Sequence, residues 1–205
     1  MKKPAMRVLQ SVFGLPTWQV RWHPQVGLDM QFGTPKLEVR EPHVSNAKSP
    51  RVRAIFARRG VHLRGTHSLC VAPRCWRLQL GNGLTVRDTS TIRQLDCAVA
   101  RLRGEKLEGF RIDARIGATI LYFDLGARIT IRKPAGGIGD WELWSLSNSS
   151  RVVGIDASGT YRYGSVHQSL DTNYAIEGDD NGFVILAHTA KVERALRKDL
   201  PGVAV

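Results

Sequence analysis

Acidic residues are missing from a long central stretch of this 205-residue chain. No Asp or Glu occurs between Pro42 and Arg87, whereas nine basic residues lie in that interval. They are Lys48, Arg51, Arg53, Arg58, Arg59, Arg64, Arg74, Arg77 and Arg87. The whole chain has 30 Lys and Arg against 18 Asp and Glu, a formal net charge of +12. Because a field of one sign attracts polyanions, this acid-free stretch is a candidate surface for a partner rich in negative charge, and a solvated Arg-rich surface without a ligand is the alternative.

Long apolar runs are also missing. The longest is Phe183–Ala187, far short of the roughly 20 residues that cross a bilayer. Lys2 and Lys3 resemble the start of a signal peptide, but Arg7 and Gln10 interrupt the apolar segment that a signal peptide needs. The sequence therefore predicts neither a membrane partner nor a signal peptide.

Cysteine is scarce. The three cysteines, Cys70, Cys75 and Cys97, are an odd number without the spacing of a zinc site. This usage favours reduced thiols in a cytoplasmic protein over a disulfide framework.

Alternating apolar and polar residues dominate the rest of the chain, as in half-buried strands. The pattern is clear at 18–22, 28–32 and 76–80, and Gly81-Asn-Gly83 is typical of a hairpin turn. Further strands are predicted at 107–113, 119–123, 128–131, 141–146, 152–155, 160–163 and 183–187. Short strands at these intervals indicate an α+β protein built mainly from antiparallel sheet.

One clear helix is predicted at about 90–103, because Ile92, Leu95, Val99 and Leu102 form a single apolar stripe. Its candidate N-caps are Asp88, Thr89 and Ser90, and its candidate C-terminal glycine is Gly104. A shorter basic helix is predicted near 50–59, after Ser49-Pro50. A terminal helix over 189–200 belongs to a C-terminal extension.

One sequence motif is nearly repeated in the chain. The segment from Gln31 to Pro42 is echoed by that from Tyr122 to Pro134, each with Phe, a Gly turn, two aliphatic residues and then Arg. The echo predicts two similar β-hairpins whose aliphatic residues are core. Arg40 and Arg132, with Glu41 and Lys133, remain available for other roles.

Composition divides the chain into three stretches. Residues 1–65 form a β-rich lobe with the short basic helix, 66–167 a helix with an antiparallel meander, and 168–205 a less basic extension. A single compact domain that contains all three is the alternative.

Several motifs follow one another in a recognisable order. They are Leu15-Pro-Thr-Trp18, Phe32-Gly-Thr-Pro-Lys-Leu-Glu-Val-Arg-Glu-Pro42, Cys75-Trp76, Phe123-Asp-Leu-Gly126, Trp141-Glu-Leu143 and Asp156-Ala-Ser-Gly-Thr-Tyr-Arg-Tyr163. This succession resembles a family of uncharacterised bacterial α+β proteins with immunity-protein-like character, over about residues 14–164. The resemblance implies a protein-binding role in bacterial conflict or on mobile elements, and it implies no catalytic residue.

Four residues could in principle hold a metal ion: His62, His67, Cys70 and Cys75 lie within one short stretch. Their spacing lacks a tight knuckle, so buried thiols and surface histidines are the favoured interpretation. No carboxylate pair or nucleophile elbow stands out. We therefore predict no catalytic residue, no metal and no cofactor.

Two functional hypotheses remain, and an enzyme of unfamiliar type ranks behind both. The first is a non-enzymatic interaction module whose protein partner has an acidic surface. The second is a nucleic-acid-binding protein that uses the acid-free stretch. The candidate nucleic-acid or anion-binding residues are Arg51, Arg53, Arg58, Arg59 and Arg64.

Overall fold

A computed structural model describes residues 1–134, 142–166, 173–179 and 182–198. The helices are α1 (Lys3–Gln10), α2 (Pro50–Phe56), α3 (Ile92–Leu102) and α4 (Ala190–Lys198). The strands are β1 (Thr17–His23), β2 (Gly27–Phe32), β3 (Lys36–Arg40), β4 (Gly60–Arg64), β5 (His67–Val71), β6 (Trp76–Gln79), β7 (Thr85–Arg87), β8 (Leu107–Asp113), β9 (Thr119–Phe123), β10 (Arg128–Ile131), β11 (Glu142–Asn148), β12 (Arg151–Asp156), β13 (Thr160–Ser165), β14 (Asn173–Ala175) and β15 (Phe183–Ala187). The predicted α+β class with mainly antiparallel sheet is confirmed.

Two antiparallel sheets form the body. The larger has the strand order β1-β2-β5-β11-β12-β13-β14, and the smaller has the order β15-β8-β9-β10-β6-β7. The sheets meet where the ring of Phe110 stacks on that of Trp144, with centroids 5.5 Å apart. The Trp144 indole N–H donates to Thr119 Oγ1 at 2.8 Å, so the buried ring is also hydrogen-bonded.

The clear helix predicted at about 90–103 is α3. Its N-cap is Thr91, not Asp88, Thr89 or Ser90, because Thr91 forms a reciprocal capping box with Gln94. The predicted stripe is largely buried, with Ile92 as its exposed member. The helix packs against β1 and β7, the edge strands of the two sheets.

Two other helices differ from the sequence analysis. Helix α1 is not predicted, yet its Ala5, Val8 and Leu9 are buried in the core against β11, β12 and β15. Helix α2 ends at Phe56 and not near residue 59, because Ala57 is already its C-cap. It has no buried residue, so no tertiary packing extends it.

The echoed segments have different structures. The second is a hairpin, in which β9 pairs with β10 around Asp124-Leu-Gly126. The first is not: β2 pairs with β1 and β5, whereas β3 pairs with β4. The prediction that both sets of aliphatic residues are core is wrong for Leu37 and Val39, which are exposed because the chain leaves the larger sheet after Phe32.

The C-terminal stretch joins the body. Strand β15 pairs with β8 at the edge of the smaller sheet, and α4 packs against both strands. The larger sheet combines strands from before and after residue 65, and the smaller sheet combines strands from before and after residue 167. The three-part division stays a prediction. The predicted strand residue Trp141 and the helix end at 199–200 lie outside the described residues. In the described part of the chain, no helix has the length and apolar character needed to cross a membrane.

Candidate interaction surfaces

Residues 33–66 form a protrusion that we name the arm. The paired strands β2 and β5 end at Phe32 and His67, and beyond them β3 and β4 continue as a separate two-stranded ribbon. Helix α2 lies at the tip, between these two strands. None of the residues of β3, α2 or β4 is buried. The arm is therefore a surface element and contributes nothing to the core.

One face of the arm is aliphatic. Leu37 lies opposite Leu63 and Val39 lies opposite Val61, so all four side chains project from the same side of the ribbon. They are 65%, 56%, 48% and 56% exposed, respectively. We name these four residues the aliphatic face. The other side of the ribbon carries polar residues, among them Glu38, His62 and Arg64.

The tip of the arm has its own small packing unit around Phe56. The Arg40 guanidinium lies over the Phe56 ring, 4.4 Å from its centroid, and donates to the carbonyl oxygen of Ile55 at 2.8 Å. The His43 ring contacts the same ring at a centroid distance of 4.8 Å. Beside this unit is a notch of about 370 Å³, lined by His43, Val44 and Arg53 among others. The tip is thus ordered by a cation–π contact and an aromatic contact in place of a core.

The five predicted arginines all lie on the arm, and they differ in their partners. Arg59 pairs with Glu41 at 2.9 Å and Arg64 with Glu38 at 3.3 Å. Arg53 donates to two backbone carbonyls, at 3.0 and 3.1 Å. Arg51 and Arg58 are exposed and make no ion pair with any residue that the structure describes. Of the five arginines, these two are the best placed to meet an acidic partner.

A second basic surface lies on the smaller sheet. An open groove of about 650 Å³ is lined by six cationic side chains and one carboxylate, that of Asp88. The cations are Arg74, Arg77, Arg87, Arg128, Arg132 and Lys133. We name this surface the basic groove. The acid-free stretch is therefore divided, since Arg74, Arg77 and Arg87 lie in the groove and its other six basic residues lie on the arm.

The four candidate metal ligands are separated. His62 is exposed on the arm, whereas His67 is buried and contacts Ser11 Oγ at 2.9 Å. Cys70 projects from the opposite side of β5 to His67. Cys75 donates to the carbonyl oxygen of Ala72 at 2.9 Å. Among the described residues, no three His, Cys, Asp or Glu side chains cluster as a metal site would require.

The thiols of the larger sheet and its neighbouring loop are protonated at neutral pH. Burial, together with the nearby carboxylate of Asp29, raises the pKa of Cys70. Burial, with a smaller contribution from Asp88, raises the pKa of Cys75 to about 12. Because the thiolate is the reactive species, neither cysteine is activated as a nucleophile.

Two features of these surfaces are not evident from the sequence. The alternating pattern around Leu37 and Val39 predicts core residues, and it does not reveal the aliphatic face. Of the six groove cations, Arg132 and Lys133 are predicted to be available for other roles, but nothing in the sequence connects them with Arg77. The only available indication was the run of basic residues itself, since the pairing of β10 with β6 that joins them is not visible locally.

Comparisons of the chain with protein-family models, with curated proteins and with solved structures return no match.

Proposed function

We propose that this protein is a non-enzymatic interaction module whose arm binds a protein partner with an acidic surface. The observation that carries the proposal is the aliphatic face, four exposed Leu and Val side chains on a ribbon that no described residue covers. A continuous exposed apolar patch with a polar surround is typical of a protein-binding site.

The architecture of the arm supports this proposal. An isolated two-stranded ribbon is marginally stable in water, so burial of its aliphatic face by a partner stabilises both the ribbon and the complex. Each Leu side chain that is fully buried in an interface contributes about 2 kcal/mol. The notch beside Phe56 offers a further place for an apolar side chain of the partner.

Charge defines the partner. Arg51 and Arg58 lie on the helix and tip beside the ribbon, and the chain as a whole carries +12. Complementary charge accelerates association and excludes wrong partners, so the partner has carboxylates around an apolar centre. The three cysteines are free thiols, which fits action in the reducing cytoplasm.

The alternative, nucleic-acid binding through the whole acid-free stretch, has less support. That stretch is divided between the arm and the basic groove, so it does not present one continuous basic surface. An aliphatic face also gives a phosphate backbone nothing to bind.

The test is affinity capture from the cells that produce the protein, followed by titration of the purified partner. The variant Leu37→Ser/Leu63→Ser removes half of the aliphatic face, and Ile92→Ser/Leu125→Ser is its control, because both control residues are exposed elsewhere at 68% and 71%. We expect the arm variant to weaken binding by about tenfold or more, and the control to bind like wild type.

A second pair of variants tests the charge. Arg51→Gln/Arg58→Gln removes two arm cations, and Arg93→Gln/Arg101→Gln removes two exposed cations of α3 at the same cost in net charge. We expect only the arm pair to lower the association rate and its salt dependence. A partner that binds both arm variants as tightly as wild type contradicts the proposal.

A further inference from the structure

The outer face of the smaller sheet is polar and basic, opposite to its buried face. On β6, Trp76 and Leu78 are buried whereas Arg77 and Gln79 are exposed. On β10, Ile129 and Ile131 are buried whereas Arg128 is exposed and Thr130 is partly exposed. The pleat therefore sends alternate residues of neighbouring strands into the basic groove.

Helix α4 covers the other end of this face, over β8 and β15, and not the groove. A side-chain carbon at Gly109 of β8 would lie 2.9 Å from Leu196 Cδ1 and 3.2 Å from Val192 Cγ1, so α4 packs tightly there. Its contacts are with β15 and β8. Among the described elements, the main contacts of β9, β10 and β6 are with other strands of the same sheet, and α3 contacts the edge strand β7.

Two arginines face each other directly in the groove. Arg77 on β6 is the cross-strand partner of Arg87 on β7, and Thr130 of β10 lies on the other side of Arg77. Like charges at directly opposite positions are destabilising. Within the part of the chain that the structure describes, neither arginine makes an ion pair with a carboxylate. An anion placed between the two guanidinium groups removes this repulsion.

Arg74, one of the residues that line the groove, has an uncommon backbone conformation. Arg74 has a φ of 63°, the only positive φ among the described residues other than glycine. Such a conformation persists where surrounding structure enforces it, and it is enriched at functional sites. Here it precedes β6 and adds an exposed cation to the same groove.

We propose that the basic groove binds a ligand with two or more phosphate groups. Arginine forks match phosphate oxygens, and several such forks on a rigid sheet fix neighbouring phosphates. The volume of about 650 Å³ is that of a small-ligand site. Base stacking is not part of this site, because Tyr122 is only 7% exposed and the Arg128 guanidinium lies 5.0 Å from its ring centroid.

Two sources supply this chemistry, a free polyphosphate and the backbone of a single-stranded nucleic acid. The probes are inorganic tripolyphosphate, followed by calorimetry, and a fluorescein-labelled oligothymidylate, followed by anisotropy, both at low salt. The groove variant is Arg77→Gln/Arg87→Gln. The charge-matched control is Arg93→Gln/Arg101→Gln on α3. Arg51→Gln/Arg58→Gln tests the arm, whose arginines are the other candidate anion-binding residues.

We expect at least one probe to bind wild type, and the groove variant to bind it about tenfold more weakly or worse. The α3 control should bind within about twofold of wild type, and the arm variant should lose less affinity than the groove variant. If the oligonucleotide is the probe that binds, the slope of log affinity against log salt should become shallower by about 1.4 in the groove variant. Binding of tripolyphosphate alone identifies a small ligand.

Two results overturn the proposal. One is that neither probe binds wild type at low salt. The other is that all three variants weaken binding equally, which shows attraction to net charge and not to a site. Thermal unfolding of each variant verifies that it is folded, and since Arg77 and Arg87 are exposed and opposed, the groove variant should melt at or above the wild-type temperature.

Discussion

Excision of the arm should leave the rest of the protein folded. The change replaces residues 33–66 by Asn-Gly, a two-residue loop that joins Phe32 to His67. These two residues are directly opposite each other in the β2–β5 pair, and Asn-Gly suits the tight turn that such a pair needs.

The expected loss of stability can be worked out from the contacts that the arm makes with the body. No residue of its strands or helix is buried, so little apolar burial is lost. Gly33 N–H donates to the Pro16 carbonyl oxygen at 3.3 Å, and Gly65 N–H donates to Gln31 Oε1 at 3.0 Å. The Thr66 hydroxyl contacts the Phe32 carbonyl at 3.3 Å and His67 Nδ1 at 3.1 Å. At about 1 kcal/mol each, the loss of these four contacts lowers the free energy of unfolding by at most about 4 kcal/mol, and the shorter loop offsets part of this.

The assay is thermal unfolding followed by circular dichroism. A loss of up to about 4 kcal/mol corresponds to a fall in Tm of no more than about 16 °C for a domain of this size. The control is Phe110→Ala, which removes a fully buried ring and should cost about 3–5 kcal/mol. An excised chain that is insoluble, or that melts far below the Phe110→Ala variant, would refute the conclusion that the arm is separate from the core.

Three further predictions concern the body. Trp144→Phe loses the hydrogen bond to Thr119 and should lower the free energy of unfolding, measured by urea denaturation, by about 2 kcal/mol. An unchanged urea midpoint would contradict the buried hydrogen bond. Burial alone would raise the pKa of Asp156, but hydrogen bonds from neighbouring residues hold it below its ordinary value. Its contribution to stability is therefore present above about pH 4 and is lost as the pH falls through the lowered pKa, and Asp156→Asn should flatten this acid dependence of unfolding. In the native protein a thiol reagent at pH 8 should modify the exposed Cys97 first and leave the buried Cys75 until unfolding. The exposed Cys70, whose pKa is raised, should react more slowly than Cys97. Cys97→Ser should remove the fastest phase, and Cys75→Ser should retain it.

Local sequence was sufficient where local interactions determine the structure. The apolar stripe of α3 predicts the helix, and the Asp124-Leu-Gly126 turn predicts the hairpin of β9 and β10. In both cases the partner of each residue lies within the same element or the adjacent one, so spacing and turn chemistry carry the information.

Local sequence was insufficient where the environment is non-local. Leu37 and Ile129 occupy equivalent positions in the two copies of the repeated motif, yet Leu37 is 65% exposed and Ile129 is fully buried. The difference arises because β10 pairs with β9 and β6 inside a sheet, whereas β3 pairs with β4 outside both sheets. An alternating pattern indicates which residues share a face of a strand, but it does not indicate whether that face is covered by other parts of the protein.

The basic groove shows the same limit. Its cations come from two separated segments, one around β6 and β7 and one after β9, and they meet because β10 pairs with β6. The run of basic residues along the sequence predicts a single surface from 42 to 87. The structure instead combines Arg77 and Arg87 with Arg132, which lies outside that run.

The most direct test of the arm as the partner-binding element is site-specific photocrosslinking in living cells. A photoreactive phenylalanine replaces Val39 on the aliphatic face, and in a control chain it replaces Leu125, which is exposed on the turn between β9 and β10. We predict a discrete crosslinked adduct with an acidic protein from position 39 and none from position 125. No adduct at position 39, or the same adducts at both positions, would contradict the account.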